Sequence, residues 1–323
     1  MTTIVKKIQK VTCSEPKRIY HRGKRENIQY GLVEGDYAGF QLRIIAGQTD
    51  DQQMYKAFTE LGGDLHSMTA VNVFHAFDGL KLEDFIKHKG ENPYKHERKL
   101  GKSINFGLCF GMGASTFAKR NLRDTWMEEQ ALNFCKDNKV KLTEKYKDPY
   151  IASASVMRDR YFQTYPTLVP WHDKMKAMGR KQGYIYSPTG ARRLVPQLMY
   201  IGKDDDGSVL SNLDSVCINT NIQNIEVVCI SRSMRKCWKL LKEGDEYNNY
   251  HPYTTFIFAM IHDAVSYYMD KNPYEKNHLI QEFHKLYEYP YRILRGIPTE
   301  YEIEFASPDD PVNPAPWGFG DVV

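Results

Sequence analysis

The run TTFIFAMIHDAVSYYMD, residues 254–270, constrains the fold more than any other stretch of the chain. It is apolar, aromatic and β-branched, as a strand is, and it carries no charge until His262 and Asp263, after which the apolar pattern resumes. An ionised carboxylate taken out of water is costly unless it is paired, hydrogen-bonded or bound to a cation. The run therefore predicts a hairpin that bends at His262 and Asp263 and brings the carboxylate to its tip. YGLVEGDYAGFQLR, residues 30–43, has the same form: a strand that ends in Asp36, followed by the small Ala38 and Gly39, which let a ligand approach closely. Either aspartate alone reads most simply as a turn residue. Side by side on adjacent strands, the two hold hard divalent cations through oxygen, as two-metal phosphoryl or nucleotidyl transfer requires.

With 323 residues, 41% of them hydrophobic and 13% aromatic, the chain can bury a substantial core and form two or three subdomains. A net charge of +4 hints at a polyanionic partner without establishing one. The six cysteines form no CxxC pair, which disfavours a zinc site and a disulfide framework and predicts a reducing cytoplasm. No apolar run approaches the roughly 18 residues of a membrane span, and the opening MTTIVKKIQK has no signal-peptide apolar region.

Residues 6–27 are basic and broken by Pro16 and Gly23, a solvated arm or a phosphate-contacting one. After Asp36 a helix is expected to continue apolar through Met54 to Phe58, and Asp64 is a plausible N-cap for another over DLHSMTAVNVF. A long helical pattern runs from Lys95 to about Leu122, and further helices run to about Tyr165. GYIYSPTGARRLVPQL reads as a hairpin with its turn at Pro188 to Gly190, and residues 208–243 as a long helix. The tail after residue 305 is Pro-rich, with Trp317 as a packing anchor. Strands are few and helices many, so the class is α+β.

In ERKLGKSINFGLCFG, Arg98, Lys102, Phe106 and Phe110 recur every fourth residue and share one slowly drifting helical face. A Phe stripe is commonly core and basic residues commonly solvated. Yet a face that grades from guanidinium to ammonium to ring follows the order of a nucleotide: phosphates, then sugar and base.

DYAGFQLR, DLHSMTA, RKLGKSINFGLCFG, YFQTYP, GYIYSPTGARR, NTNIQ and IHDA occur in the order, and near the spacing, of motifs in the family A (polymerase I-like) DNA polymerases. The chain resembles that family over roughly residues 30–305. The resemblance implies a palm, an antiparallel sheet with helices, plus helical fingers, with the thumb absent. The segments it implies are a basic arm (1–30), palm around Asp36 (31–75), fingers (76–165), palm with the 254–270 hairpin (166–305) and a tail (306–323).

It further implies that Asp36 and Asp263 bind two catalytic Mg²⁺ ions, or Mn²⁺ in their place, with the Tyr37 carbonyl as an added ligand. Arg98, Lys102 and His66 then contact the incoming triphosphate, and Lys102 donates a proton to the leaving pyrophosphate. Phe106 packs on the sugar, and Phe110 lies near base and template. Arg192, Arg193, Asn219 and Gln223 track the primer-template. For His66 without its motif, a helix-surface histidine is the plainer reading, and Gln223 alone carries little.

The sequence departs from the family pattern at several places. Motif A usually reads Asp-Tyr-Ser-Gln-Ile-Glu, so the glutamate that gates against ribose is Gln41 here; the tyrosine at the end of the fingers helix is Phe110. Both members of that pair have changed, which puts sugar selection in doubt. Lys99 replaces a second arginine, Ala264 a glutamate, and Asn221 and Asn224 the usual proline and glycine around Gln223. Only residues 1–35 precede Asp36, and no segment resembles an exonuclease.

The resulting expectation is a DNA polymerase catalytic subunit that uses dNTP and primer-template DNA in a bacterial or phage-infected cytoplasm. It is expected to be one part of a split, phage-type enzyme whose second polypeptide supplies thumb and exonuclease, with a piece of a longer polymerase as the alternative. A single-subunit RNA polymerase and a non-catalytic DNA-binding scaffold are the alternatives; dNTP against rNTP incorporation separates the first, and the joint presence of Asp36, Asp263, Arg98 and Lys102 disfavours the second.

Overall fold

In the computed structural model, residues 30–305 are described, apart from 77, 144–145, 200–206, 262 and 271. The basic arm, the tail with Trp317, and His262 lie outside the described residues. The chain forms two compact units, one of Met1–Phe40, Glu226–Pro290 and Thr299–Val323, the other of Gln41–Ile225 and Tyr291–Pro298. Among the described residues no helix is long and apolar enough to cross a membrane.

The first unit is built on an antiparallel sheet of β1 (Tyr30–Tyr37), β4 (Phe256–Ile261), β5 (Ala264–Asp270) and β6 (Tyr301–Phe305), in the order β4-β5-β1-β6. The expected hairpin is β4 and β5, with Asp263 in its turn and a register shift between Ile257 and Ala259. Every residue of β5 is buried, which explains its unbroken apolar run: it is the inner strand, covered on both faces. Helix α11 (Pro273–Tyr287) follows, started by Asn272, which caps Tyr274 N–H.

The second unit is helical: α1 (Phe40–Thr49, with Phe40 counted in the first unit), α2 (Gln52–Thr59), α3 (Leu65–Phe74), α4 (Leu82–His88), α5 (Tyr94–Cys109), α6 (Ala114–Phe117), α7 (Glu128–Asp137), α8 (Pro149–Thr164) and α9 (Leu168–Gln182). The predicted small hairpin is present as β2 (Tyr184–Tyr186) and β3 (Arg192–Leu194), closed by Gly190 N–H donating to the Ser187 carbonyl at 2.9 Å. The predicted long helix is α10 (Gly207–Glu243), whose residues from Glu226 onward count with the first unit.

Two expectations need correction. The helix after Asp36 does not run through to Phe58: Asp50 takes a left-handed conformation (φ 57°), and Asp51 starts α2 by accepting from the Gln53 and Met54 N–H groups. The pattern from Lys95 to Leu122 is likewise two pieces. Helix α5 ends at Cys109 because Gly111 turns left-handed (φ 80°), and the chain resumes as α6 and a π-turn over Ala118–Leu122.

Candidate active site

Strand β1 has two distinct faces. Buried and half-buried residues alternate along 31–37, so Val33, Gly35 and Tyr37 point one way and Glu34 and Asp36 the other. The buried side is a tyrosine cluster. Tyr37 stacks on Phe40 at 4.3 Å, its hydroxyl donates to the Tyr287 carbonyl at 2.8 Å, and Tyr287 stacks on Tyr301 at 4.2 Å. Gly35 abuts this cluster; a Cβ there would lie 2.1 Å from the Tyr301 hydroxyl, so no side chain fits next to Asp36 on that side.

The opposite face is acidic. Pairing with β6 sets Asp36 opposite Glu302 and Glu34 opposite Glu304, a disposition of like charges that is unfavourable in itself. Asp263 directly precedes β5, whose Val265 is the partner of Gly35 on β1, so the two predicted aspartates occupy neighbouring strand ends. Burial first, then Asp263, push the Asp36 carboxyl up to about 7; the Tyr37 N–H, donating at 2.8 Å, opposes this, and Glu34 and Glu302 add to it. Glu34 is raised as well, by burial and then by Glu304.

This donor set suits a hard cation. Carboxylates crowded together off bulk water favour a divalent ion over a second proton. Among the described residues no group of three His, Cys, Asp or Glu side chains converges on a metal position.

The second unit carries the helical face. Helices α3 and α5 pack closely because position 101 is glycine; a Cβ there would lie 2.6 Å from the His66 carbonyl oxygen. The buried residues of α5 are Leu100, Gly101, Ile104, Asn105, Gly107, Leu108 and Cys109. Arg98 and Phe106 are therefore only half-buried and Lys102 is exposed, so the stripe is not core. Phe110, also half-buried, is the residue just past the helix end. Gln41 lies half-buried in the first turn of α1.

Arg98 is engaged by a carboxylate. Its Nε and Nη2 donate to Asp64 Oδ2 and Oδ1 at 3.2 and 3.1 Å, and Lys89 donates to the same Oδ2 at 3.2 Å. Asp64 also caps α3, as expected, by accepting from Ser67 N–H at 3.2 Å and Ser67 Oγ at 2.8 Å. Burial pushes this carboxyl up, but Arg98 and Ser67 together bring it down to about 2. His66 is half-buried, with its ring 5.9 Å from Phe106 and its Nδ1 3.1 Å from Asn105 Nδ2. Burial, then Arg98 and Lys102, lower it to about 4, so it is neutral at pH 7.

Arg192 and Arg193 are exposed on β3, Arg192 with its guanidinium 5.1 Å above the Tyr184 ring. Asn219 and Gln223 lie one turn apart on α10; Gln223 is exposed, and Asn219 Oδ1 is buried without a hydrogen-bond partner among the described residues. The candidate residues thus form two sets: Asp36, Tyr37 and Asp263 in the first unit, and Gln41, His66, Arg98, Lys102, Phe106, Phe110, Arg192, Arg193, Asn219 and Gln223 in the second. Sequence reasoning did not single out Glu302, Glu304 or Asn105. The alternation of YEIEF at 301–305 was the available signal for the first two.

A family model described as DNA polymerase family A matches residues 8–285. Thermostable DNA polymerase I of Thermus thermophilus is 26% identical over 214 residues, 66% of this chain and 20% of that protein. DNA polymerase I of Pseudomonas aeruginosa is 27% identical over 205 residues, 64% of this chain and 18% of that protein. The chain therefore spans about a fifth of the length of these curated relatives. Among solved structures, the POL domain of Pol1 from M. smegmatis, in complex with DNA primer-template and dNTP, shares the fold with a TM-score of 0.62 at 19% identity, over 89% of this chain and 43% of that one.

Proposed function

This chain belongs to DNA polymerase family A, and from that premise we propose that it catalyses DNA-templated addition of deoxynucleotides to a primer 3′-hydroxyl. The observation that carries the reading is the pair of Asp36 and Asp263 at neighbouring strand ends, with the Asp36 carboxyl raised to about 7. Asp36, Asp263 and the Tyr37 carbonyl would hold Mg²⁺ ions, or Mn²⁺ in their place, which when bound would acidify the primer hydroxyl and offset charge on the phosphates.

The protein's own groups do the rest. Asp64 holds Arg98 in one orientation, with Nη1 outside that pair and directed to phosphate in this reading. Lys102 offsets charge on the leaving pyrophosphate and gives it a proton. His66 contacts the triphosphate, Phe106 packs on the sugar, and Phe110 lies against base and template. Arg192, Arg193, Asn219 and Gln223 follow the primer-template, largely without reading sequence. In this assignment residues 76–165 are fingers, and 31–75 and 166–305 palm.

Gln41 is nearly the size of glutamate and still blocks a 2′-hydroxyl by volume, but Phe110 cannot hydrogen-bond it. Exclusion of ribonucleotides is expected to be moderately relaxed and partly restored by Gln41→Glu with Phe110→Tyr. Equal discrimination in both proteins counts against this.

The test is primer extension with dNTPs. Lys102→Ala should slow nucleotide use with folding intact, whereas Leu100→Ala, at a fully buried position, should act through stability, by about 2–5 kcal/mol. Loss of activity in both in proportion to lost stability would reduce the stripe to packing. Stimulation by a second polypeptide with thumb and exonuclease is a separate proposal, tested by what co-purifies with the chain from its native source.

A further inference from the structure

Helix α5 presents one wholly buried amide to α3, that of Asn105. Its Nδ2 lies 3.4 Å from the Leu65 carbonyl oxygen, which can only accept, and this contact fixes which end of the amide faces which neighbour. The Oδ1 then accepts from Thr69 Oγ1 at 3.0 Å, and Thr69 in turn accepts from the buried Tyr165 hydroxyl at 2.9 Å. Donation thus runs in one direction, from Tyr165 to Thr69 to Asn105. The second Nδ2 hydrogen meets His66 Nδ1 at 3.1 Å. An amide nitrogen only donates, so Nδ1 must be the acceptor and the ring's hydrogen must sit on Nε2.

We propose that Asn105 is a positioning residue that holds His66 as the neutral Nε2–H tautomer, so that His66 meets a nucleotide's phosphates as a hydrogen-bond donor and not as a cation. This rests on reading the α3–α5 face as a nucleotide site. The charged groups around His66 agree: Arg98 and Lys102 on α5 disfavour an imidazolium, burial disfavours it more, and Asp64 opposes them more weakly. Beside two cations, a third charge would add repulsion, whereas a neutral N–H adds direction.

Nitrogen NMR on the full chain tests the tautomer without reference to catalysis, with the His66 signals assigned by their loss in His66→Gln. The expected spectrum at about pH 7 shows an unprotonated Nδ1 and a protonated Nε2, unchanged down to about pH 5.5. A proton on Nδ1, or an imidazolium at neutral pH, overturns the proposal. Asn105→Asp replaces the donor with an acceptor and should raise the His66 midpoint by about 1–3 pH units; an unmoved midpoint in a folded variant also overturns it.

Kinetics tests the use of the tautomer. His66→Gln keeps a donor and should hold the nucleotide KM within about threefold, whereas His66→Ala should raise it by roughly tenfold with kcat less affected. Rescue by His66→Lys but not by His66→Gln would make the histidine a cation and sink the donor role. An unchanged KM in His66→Ala, with the NMR result as expected, would overturn the phosphate contact and the nucleotide reading while leaving the tautomer intact.

Discussion

Asp36 and Asp64 are both partly buried aspartates at the ends of secondary-structure elements, one in each compact unit, and their surroundings act on them in opposite directions. Asp64 receives two guanidinium hydrogen bonds, an ammonium, a hydroxyl and a backbone N–H, and of these Arg98 and Ser67 outweigh burial to bring it to about 2. Among the described residues Asp36 accepts from the Tyr37 N–H, while Asp263, Glu34 and Glu302 act on it with negative charge, and it stands at about 7. A carboxylate whose charge the protein satisfies itself belongs to the architecture. One left among other carboxylates fits the proposed site, where a cation from outside would supply the missing charge.

The largest expected effect is on the side of Asp36. Asp36→Asn and Asp263→Asn keep size but remove charge, so nucleotide addition should fall by about two orders of magnitude or more while primer-template binding persists. Near-normal extension by either variant breaks the comparison at its root. The two units should also respond to opposite signs in stability. Asp36→Asn removes a repelled charge and should leave the thermal midpoint in chelator unchanged or higher. Asp64→Ala removes an N-cap and the Arg98 anchor and should cost about 1–3 kcal/mol in urea unfolding. If Asp36→Asn destabilised the fold as much as Asp64→Ala, both would be structural.

Much of this was open to a reading of the sequence, for physical reasons that differ by element. The 254–270 hairpin was legible because a carboxylate inside an apolar run leaves a chain few choices. The N-cap role of Asp64 was legible because it acts three residues away. Its hold on Arg98, 34 positions on, was not, since nothing local to either residue encodes it. The breaks at Asp50 and Gly111 depend on single left-handed residues that helical periodicity does not register. The alternation of strand β6 does not name its neighbour, and it is pairing with β1 that brings Glu302 and Glu304 to the acidic face. Asn105 shows the limit most directly: on a helical wheel it is one polar residue among Gly101, Ile104 and Leu108, and its meaning comes from Leu65, Thr69 and His66 on another helix.

The smallest expected effect sharpens the comparison through pH. His75, at the C-terminal end of α3, donates from one ring nitrogen to Glu97 at 2.7 Å and from the other to Asp78 at 2.7 Å, so it ties that helix to the first turn of α5. The Glu97 hydrogen bond first, and Asp78 after it, raise its pKa to about 9 against the opposing pull of burial. A histidine raised in the folded state contributes stability that is fully present below its ordinary value near 6.5 and is lost as pH climbs through about 9. Asp36 is raised by burial and repulsion, so it carries a penalty that is absent below its ordinary 3.8 and complete once pH passes about 7, while the contribution of Asp64 is present above 3.8 and lost only as pH falls through about 2. Each unit thus has its own window. Thermal melts in chelator should show the midpoint difference between wild type and His75→Gln shrinking as pH rises from about 7 to 10, by a few degrees at most because solvent screens a partly exposed pair. A difference that stayed constant over that range would mean that His75 acts by packing against Phe85 and Tyr94, and a difference that grew would reverse the assigned charge.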